Sequence, residues 1–300
     1  MPCIRPRIPQ LNVAWFFCLM LMYGLYIVLF CNYLVVDAVP LASRMVYMAV
    51  WHFFWAMHLW SYMAAAMQNI KVPSSRYRLP LDLQAKLRQR YTALSQLQLI
   101  LEFCVERDLL IEERNLETLS ADEVTDADVA RLFCFRCLAV KPARAYHCCL
   151  CERCVIRKER HCYSMFVCVN EGNFKAAQLT TFYTFCMALT TTVTTAPHLY
   201  SYWRHFYYDP EFWPIVGLGL FTYGVAQCLF NGLVGFGSFV FGIGLATRNL
   251  TLVEYRQDTQ FDYSLGSRWQ NFTYFWGENP LLWPFPLQPD CQEKLKCKEE

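Results

Sequence analysis

Four stretches of this chain contain no Asp, Glu, Lys or Arg, and each is longer than the roughly 20 residues a helix needs to cross a lipid bilayer. The first lies between Arg7 and Asp37, centred on WFFCLMLMYGLYIVLFCNYLVV. The second, MVYMAVWHFFWAMHLWSYMAAAM, sits between Arg44 and Lys71, the third between Lys175 and Arg204, and the fourth between Glu211 and Arg248. A single run of this kind can be a buried core helix. Four of them read as membrane helices, and the first lacks the short apolar core and small-residue cleavage site of a signal peptide. A composition of 55% hydrophobic and 17% aromatic residues fits a protein solvated largely by lipid. The net charge of +2 gives no reason to expect a polyanionic partner.

Basic residues orient the helices. With both termini in the cytosol, the outer loops 37–44 and 204–211 hold only Arg44 and Arg204 of the 27 Lys and Arg residues. The others then lie on the cytosolic side, in keeping with the positive-inside rule. The long loop between the second and third helices is therefore in a reducing compartment, where dense cysteines point to metal or thiol chemistry rather than disulfides. Sequons at Asn249 and Asn271 are cytosolic in this topology and are expected to stay unglycosylated. The expected architecture is an all-α polytopic membrane protein, with four transmembrane helices and a cytosolic two-zinc cysteine-rich domain between helices 2 and 3.

The loop opens with LDLQAKLRQRYTALSQLQLILEFCVERDLLIEERNLETL, leucines at helical spacing among charges. This predicts an amphipathic helix or helix pair, lying on the membrane or on the rest of the domain. In the acidic stretch that follows, Ser120 is the expected N-cap and Glu123 its capping-box partner. No internal repeat or low-complexity segment is expected. The cysteines then crowd together: Cys134-x-x-Cys137, His147-Cys148-x-x-Cys151-x-x-Cys154, and His161 through Cys168. Eight thiol or imidazole ligands suit two closed, four-coordinate structural zinc sites. Free thiols at this density would be an oxidation hazard. A nucleic-acid-binding ribbon would carry a strong basic charge, so no nucleic acid is expected as a partner. Cys149 and Cys162 are left over.

The stretch CFRC…KPARAYHCCLCERCVIRKERHCYSMFVCVNEGN resembles the cysteine-rich domain of the DHHC family of protein S-acyltransferases, the palmitoyltransferases. The likeness covers Cys134 to Asn173 closely, Lys141, Pro142 and Arg144 included, and extends loosely to the helices and tail. Thr251-Leu252-Val253-Glu254 is similar to the family's TTxE motif with its second threonine lost. YSLGSRWQNFTYFWG is similar to its C-terminal motif, with Asn271 at the position of the asparagine.

The resemblance implies a four-helix membrane enzyme with this domain in the loop between helices two and three. It implies one structural Zn2+ held by Cys134, Cys137, His147 and Cys154, and a second held by Cys148, Cys151, His161 and Cys168. Cys149 becomes a variable position. Cys162 becomes the nucleophile, which takes a fatty acyl group from palmitoyl-CoA as a thioester and passes it to a cysteine of a substrate protein. Glu159 becomes the catalytic carboxylate beside it. The implied partners are the lipid bilayer, acyl-CoA and cytosolic-face proteins with membrane-proximal cysteines, with an accessory subunit or a related enzyme also possible. The implied location is the Golgi or the endoplasmic reticulum. The expected divisions are 1–67 (tail and helices 1–2), 68–130 (amphipathic and acidic segment), 131–174 (zinc domain), 175–247 (helices 3–4) and 248–300 (cytosolic tail).

The motif departs from the family in reading Glu159-Arg160-His161-Cys162. Glu159 keeps a carboxylate on a longer stem, and His161 keeps the metal ligand. Arg160 replaces the general-base histidine, and a guanidinium cannot accept the thiol proton. Loss of a general base costs on the order of a hundred- to ten-thousandfold in rate. A fixed positive charge nonetheless favours the thiolate that attacks. Tyr163-Ser164 stands in place of Pro-Trp, and Leu252 removes a hydroxyl. Two functions follow: a divergent S-palmitoyltransferase acting through Cys162, or a catalytically impaired relative serving as a membrane scaffold or binding partner.

Overall fold

A helix needs a sustained run of one periodicity, and a stretch interrupted by a cysteine or histidine every few residues offers none. Residues 133–170 fold instead into three short antiparallel hairpins. In the computed structural model, which describes residues 40–68, 70–90, 92–109, 124–208, 212–257 and 263–287, β1 (Phe133–Cys134) pairs with β2 (Ala139–Val140). Likewise β3 (Ala145–Cys148) pairs with β4 (Arg153–Ile156), and β5 (Lys158–Cys162) with β6 (Val167–Asn170). The all-α expectation is corrected here. Two-residue strands such as β1 and β2 do not run long enough to display an alternating pattern.

The helices in chain order are α1 (Leu41–Met67), α2 (Leu81–Gln89), α3 (Ala93–Glu106), α4 (Asp126–Leu132), α5 (Phe174–Tyr208), α6 (Phe212–Thr247), α7 (Leu252–Arg256) and α8 (Arg268–Trp276). The chain divides into two compact units. One gathers Gln68–Gly172 with Thr251–Phe261; the other holds α1, α5, α6 and α8.

In the first unit, the leucine-rich segment forms the helix pair α2–α3, and its apolar face packs on the domain itself. Leu87, Leu97, Ile100 and Phe103 share a buried core with Val129 and Leu132 of α4 and with Phe133 and Val140 of the first hairpin. Burying each such side chain contributes about 1.5–3 kcal/mol. The polar ends are closed by caps. Thr92 caps α3, accepting from the Ser95 N–H, and Thr125 with Asp128 forms the capping box that starts α4. Ser120 and Glu123 lie outside the described residues. The extended segment before α2 is stitched to the hairpins by Ile156 N–H to Lys71 O (3.0 Å) and Leu79 N–H to Leu138 O (2.9 Å).

In the second unit, α5 packs between α1 and α6. Its threonines satisfy their hydroxyls on carbonyls one turn back, as Thr180 does on Ala176 O at 2.9 Å and Thr184 on Thr180 O at 2.8 Å. Trp51 of α1 donates to Thr191 Oγ1 at 3.1 Å, and His58 is hydrogen-bonded to Thr180 O and Thr184 Oγ1, both at 3.2 Å. The buried Lys175 ammonium donates to the carbonyls of Trp276, Leu282 and Leu287 at 3.3, 2.9 and 2.9 Å. Among the described residues, one stretch is long and apolar enough to cross a membrane: Thr222–Thr247 of α6, with mean hydropathy 1.8. The second and third apolar runs are helical as α1 and α5, but their His, Gln, Thr, Tyr and Trp residues lower the hydropathy. The first run lies outside the described residues.

Candidate metal centres and active site

The three hairpins repeat one plan. Each pairs the residue just before its leading cysteine with the second residue of the return strand: Phe133 with Val140, His147 with Cys154, His161 with Cys168. Equivalent positions fall fourteen residues apart, so Cys134, Cys148 and Cys162 each end the first strand of their hairpin. The tips close through Leu138, Glu152 and Phe166, at φ of 50°, 52° and 52°. This left-handed conformation is uncommon outside glycine. Its recurrence at three non-glycine residues marks one turn used three times. The expectation of no internal repeat is therefore corrected. Of the equivalent positions, Phe133, Val140 and Met165 carry neither Cys nor His, which masks the period in the sequence.

The two candidate metal-binding groups come from this plan by offset. Cys134 and Cys137 of the first hairpin meet the cross-strand pair His147 and Cys154 of the second. Cys148 and Cys151 of the second meet His161 and Cys168 of the third. In each group the donor atoms all lie within 4.8 Å of one another. A tetrahedral zinc with ordinary bond lengths would set sulfur–sulfur edges at about 3.8 Å and sulfur–nitrogen edges at about 3.6 Å. In the first group Cys154 and Cys137 sulfurs are 3.7 Å apart, and His147 Nδ1 is 3.4 and 3.3 Å from Cys134 and Cys137. In the second, Cys151 and Cys168 sulfurs are 3.5 Å apart, with His161 Nδ1 at 3.6, 3.4 and 3.7 Å from Cys148, Cys151 and Cys168. Both groups can thus hold a metal ion.

The electrostatics agree. A hydrogen bond from Cys154 draws the Cys134 thiol down to about 4, while the same contact and burial push Cys154 up. Cys151 and Cys168 draw Cys148 down, and Cys168 is pushed up in turn. One thiolate per group is accommodated by its neighbours and the next is resisted, so full ionisation calls for a cation at the centre.

Cys162 belongs to neither group. It is partly exposed at the end of β5, opposite Val167, and its Sγ lies 3.2 Å from the Ser164 hydroxyl. Arg160 and Cys162 stand two apart in the regular part of β5, opposite Val169 and Val167, and so share a face of the strand. Glu159 sits where the register of the hairpin shifts, and such bulges re-aim a side chain. Its carboxylate is buried and accepts the Leu252 N–H at 2.8 Å, at the start of α7. Burial raises its pKa to about 7, and its charged neighbours are Arg157, Glu254 and Arg144. Glu159 is therefore not the ion-pair partner of Arg160, whose guanidinium makes no hydrogen bond or ion pair among the described residues.

The four-residue tail motif is built around Glu254. Thr251 and Glu254 form the capping box of α7, and the fully buried Glu254 carboxylate takes two 2.7 Å bonds from Arg144 Nε and Nη2. Other polar residues are tied in as well. Asn170 Oδ1 accepts the Gly172 N–H at 2.7 Å, and Lys71 pairs with Glu171 at 3.2 Å. Asn271, buried in the second unit, accepts the Leu265 N–H at 2.8 Å and donates to Thr247 O at 3.0 Å. Sequence reasoning missed the Ser164 contact with sulfur and the role of the Leu252 backbone; the first was readable as a hydroxyl two residues from the leftover thiol.

Comparison with known proteins extends the picture. The family model described as DHHC palmitoyltransferase matches residues 128–259. The chain is 25% identical over 273 residues to a zebrafish protein named palmitoyltransferase ZDHHC15A, covering 88% of this chain and 76% of the relative. It is 27% identical over 277 residues to the Arabidopsis probable protein S-acyltransferase 13, covering 90% and 82%. It is 26% identical over 305 residues to the Caenorhabditis elegans palmitoyltransferase spe-10, covering 95% and 83%.

Proposed function

We propose that this chain, whose residues 128–259 match the family model described as DHHC palmitoyltransferase, is a protein-cysteine S-palmitoyltransferase acting through Cys162. The observation that carries this reading is the position of Cys162. It repeats the place of two metal-ligand cysteines, on an equally built hairpin, yet its thiol is left out of both ligand groups.

In this reading Cys134, Cys137, His147 and Cys154 hold one structural zinc, and Cys148, Cys151, His161 and Cys168 hold the other. The zinc ions fix the hairpins to one another and take no part in the chemistry. The Cys162 thiolate attacks the thioester carbonyl carbon of palmitoyl-CoA. A new carbon–sulfur bond forms, the bond to the CoA sulfur breaks, and CoA leaves as a thiolate that takes a proton from solvent. A substrate cysteine thiolate then attacks the acyl-enzyme in the same manner and releases Cys162. Arg160 takes no proton. Its fixed charge, on the same strand face as Cys162, favours the anionic sulfur and the oxyanion that forms on the carbonyl. Glu159 fastens β5 to the N-terminus of α7 and so steadies the strand that carries the nucleophile.

Four membrane helices, formed by the four uncharged runs, would hold the acyl chain and keep both termini in the cytosol. The apolar side chains that α6 turns outward, Phe230, Leu233, Val234 and Phe241 among them, support a lipid surrounding. Substrates would be cytosolic-face proteins with cysteines near a membrane of the Golgi or endoplasmic reticulum, with an accessory subunit or related enzyme as a further partner. The second reading, a membrane scaffold without activity, is favoured by Arg160 in the place of the family's base.

Transfer of labelled palmitate from palmitoyl-CoA to a cysteine-containing, membrane-tethered peptide separates the two. The first reading requires hydroxylamine-sensitive label on the peptide that is lost in Cys162→Ser of equal zinc content. Label absent from wild type and gained in Arg160→His would establish the scaffold.

A further inference from the structure

The three hairpins differ in what holds the sulfur of their leading cysteine. In the first, Cys134 faces His147 and Cys154; in the second, Cys148 faces His161 and Cys168, and each sulfur has a metal position beside it. In the third, the residue at the place of Cys137 and Cys151 is Met165, whose side chain is buried. The polar atom recorded against Cys162 Sγ is Ser164 Oγ, at 3.2 Å. Ser164 lies in the turn between β5 and β6, a loop fixed at one end by the Cys162–Val167 pair and at the other by the left-handed Phe166. The turn backbone therefore sets the hydroxyl beside the sulfur, and no long flexible side chain has to be ordered to place it there.

We propose that Ser164 is the positioning residue of the nucleophile, its hydroxyl donating to the Cys162 sulfur and holding it in the rotamer from which it attacks. This rests on the acyltransferase reading of Cys162. A hydroxyl offers both a donor and an acceptor, so it can bind sulfur as thiol, where either atom donates, and as thiolate, where only the hydroxyl can. Hydrogen bonds to a charged group are worth more than those between neutral ones, so the contact strengthens as the attacking form appears. Arg160 supplies charge without a proton acceptor, and Ser164 supplies direction. Together they stand where the family places a histidine and a Trp, and neither substitutes for the other.

The test is single-turnover acylation of the purified, zinc-replete, full-length protein by palmitoyl-CoA, followed by acyl mass on the Cys162 peptide. Ser164→Ala is expected to lower the acylation rate constant at saturating palmitoyl-CoA about tenfold. The half-saturating concentration and the zinc content should stay at wild-type values, and Ser164→Thr should recover most of the rate. Ser164→Val, which has the shape of threonine without its hydroxyl, should stay as slow as Ser164→Ala, whereas a loss of packing alone would be rescued by either. A Ser164→Ala rate equal to wild type, while Cys162→Ser remains unlabelled, overturns the positioning role and leaves the acyltransferase reading standing. Wild type that gains no acyl group at Cys162 overturns both.

Discussion

The first two hairpins and the third share a backbone plan and part ways in chemistry. Cys134 and Cys148 are drawn into metal-ligand groups because another hairpin follows each of them and offers a cross-strand His and Cys. Cys162 ends its strand in the same manner, but α5 begins at Phe174 and no fourth hairpin arrives to complete a site. What frees the thiol is chain order rather than any special geometry of β5. The comparison also explains why the scaffold tolerates change around Cys162. Arg160, Tyr163 and Ser164 alter the surroundings of Cys162 and leave all eight ligand positions occupied by Cys or His.

The sharpest way to break this comparison is to exchange the fates of the cysteines. His147→Ala removes a ligand from the first group and should drop bound zinc from two ions to one per chain, with loss of cooperative unfolding in the first hairpins. Cys162→Ala, at the equivalent place in the third hairpin, should keep both. Metal analysis on matched samples reads the difference. Next in size is Arg144→Ala, which strands the fully buried Glu254 carboxylate and should cost about 3–5 kcal/mol in urea unfolding. Smaller still is Glu159→Ala, expected to cost about 1–3 kcal/mol by leaving the Leu252 N–H without its acceptor, while Glu159→Gln keeps an acceptor and stays near wild type. The smallest effect is a null: Met165→Cys gives the third hairpin a second thiol at the spacing of the others, and bound zinc should remain at two. A third zinc ion would refute the claim that the missing partner hairpin is what leaves Cys162 free.

How much of this was legible follows from the range of the interactions involved. The eight Cys and His candidates could be read because metal chemistry demands particular residue types at short spacing, while their division into two sets came from the family resemblance; the helix pair α2–α3 could be read because leucines recur with the helical period. The hairpins escaped because two-residue strands such as β1 carry no pattern, and their repeat because Phe133, Val140 and Met165 interrupt it. The place of Glu159 escaped for a different reason: its hydrogen-bond partner is the backbone of Leu252, 93 residues away, which the residues beside it in sequence do not report. The second and third apolar runs form helices, but runs rich in Thr, His and Trp do not by themselves report how much of a helix faces lipid.

The most direct measurement is native mass spectrometry of the detergent-solubilised chain after incubation with palmitoyl-CoA, with peptide mapping of the modified residue. If the third hairpin carries the released nucleophile, one species will hold two zinc ions and one palmitoyl group, and the acyl group will map to Cys162. Two zinc ions with no acyl group, or an acyl group on one of the other cysteines with Cys162 bound to metal, would contradict the account.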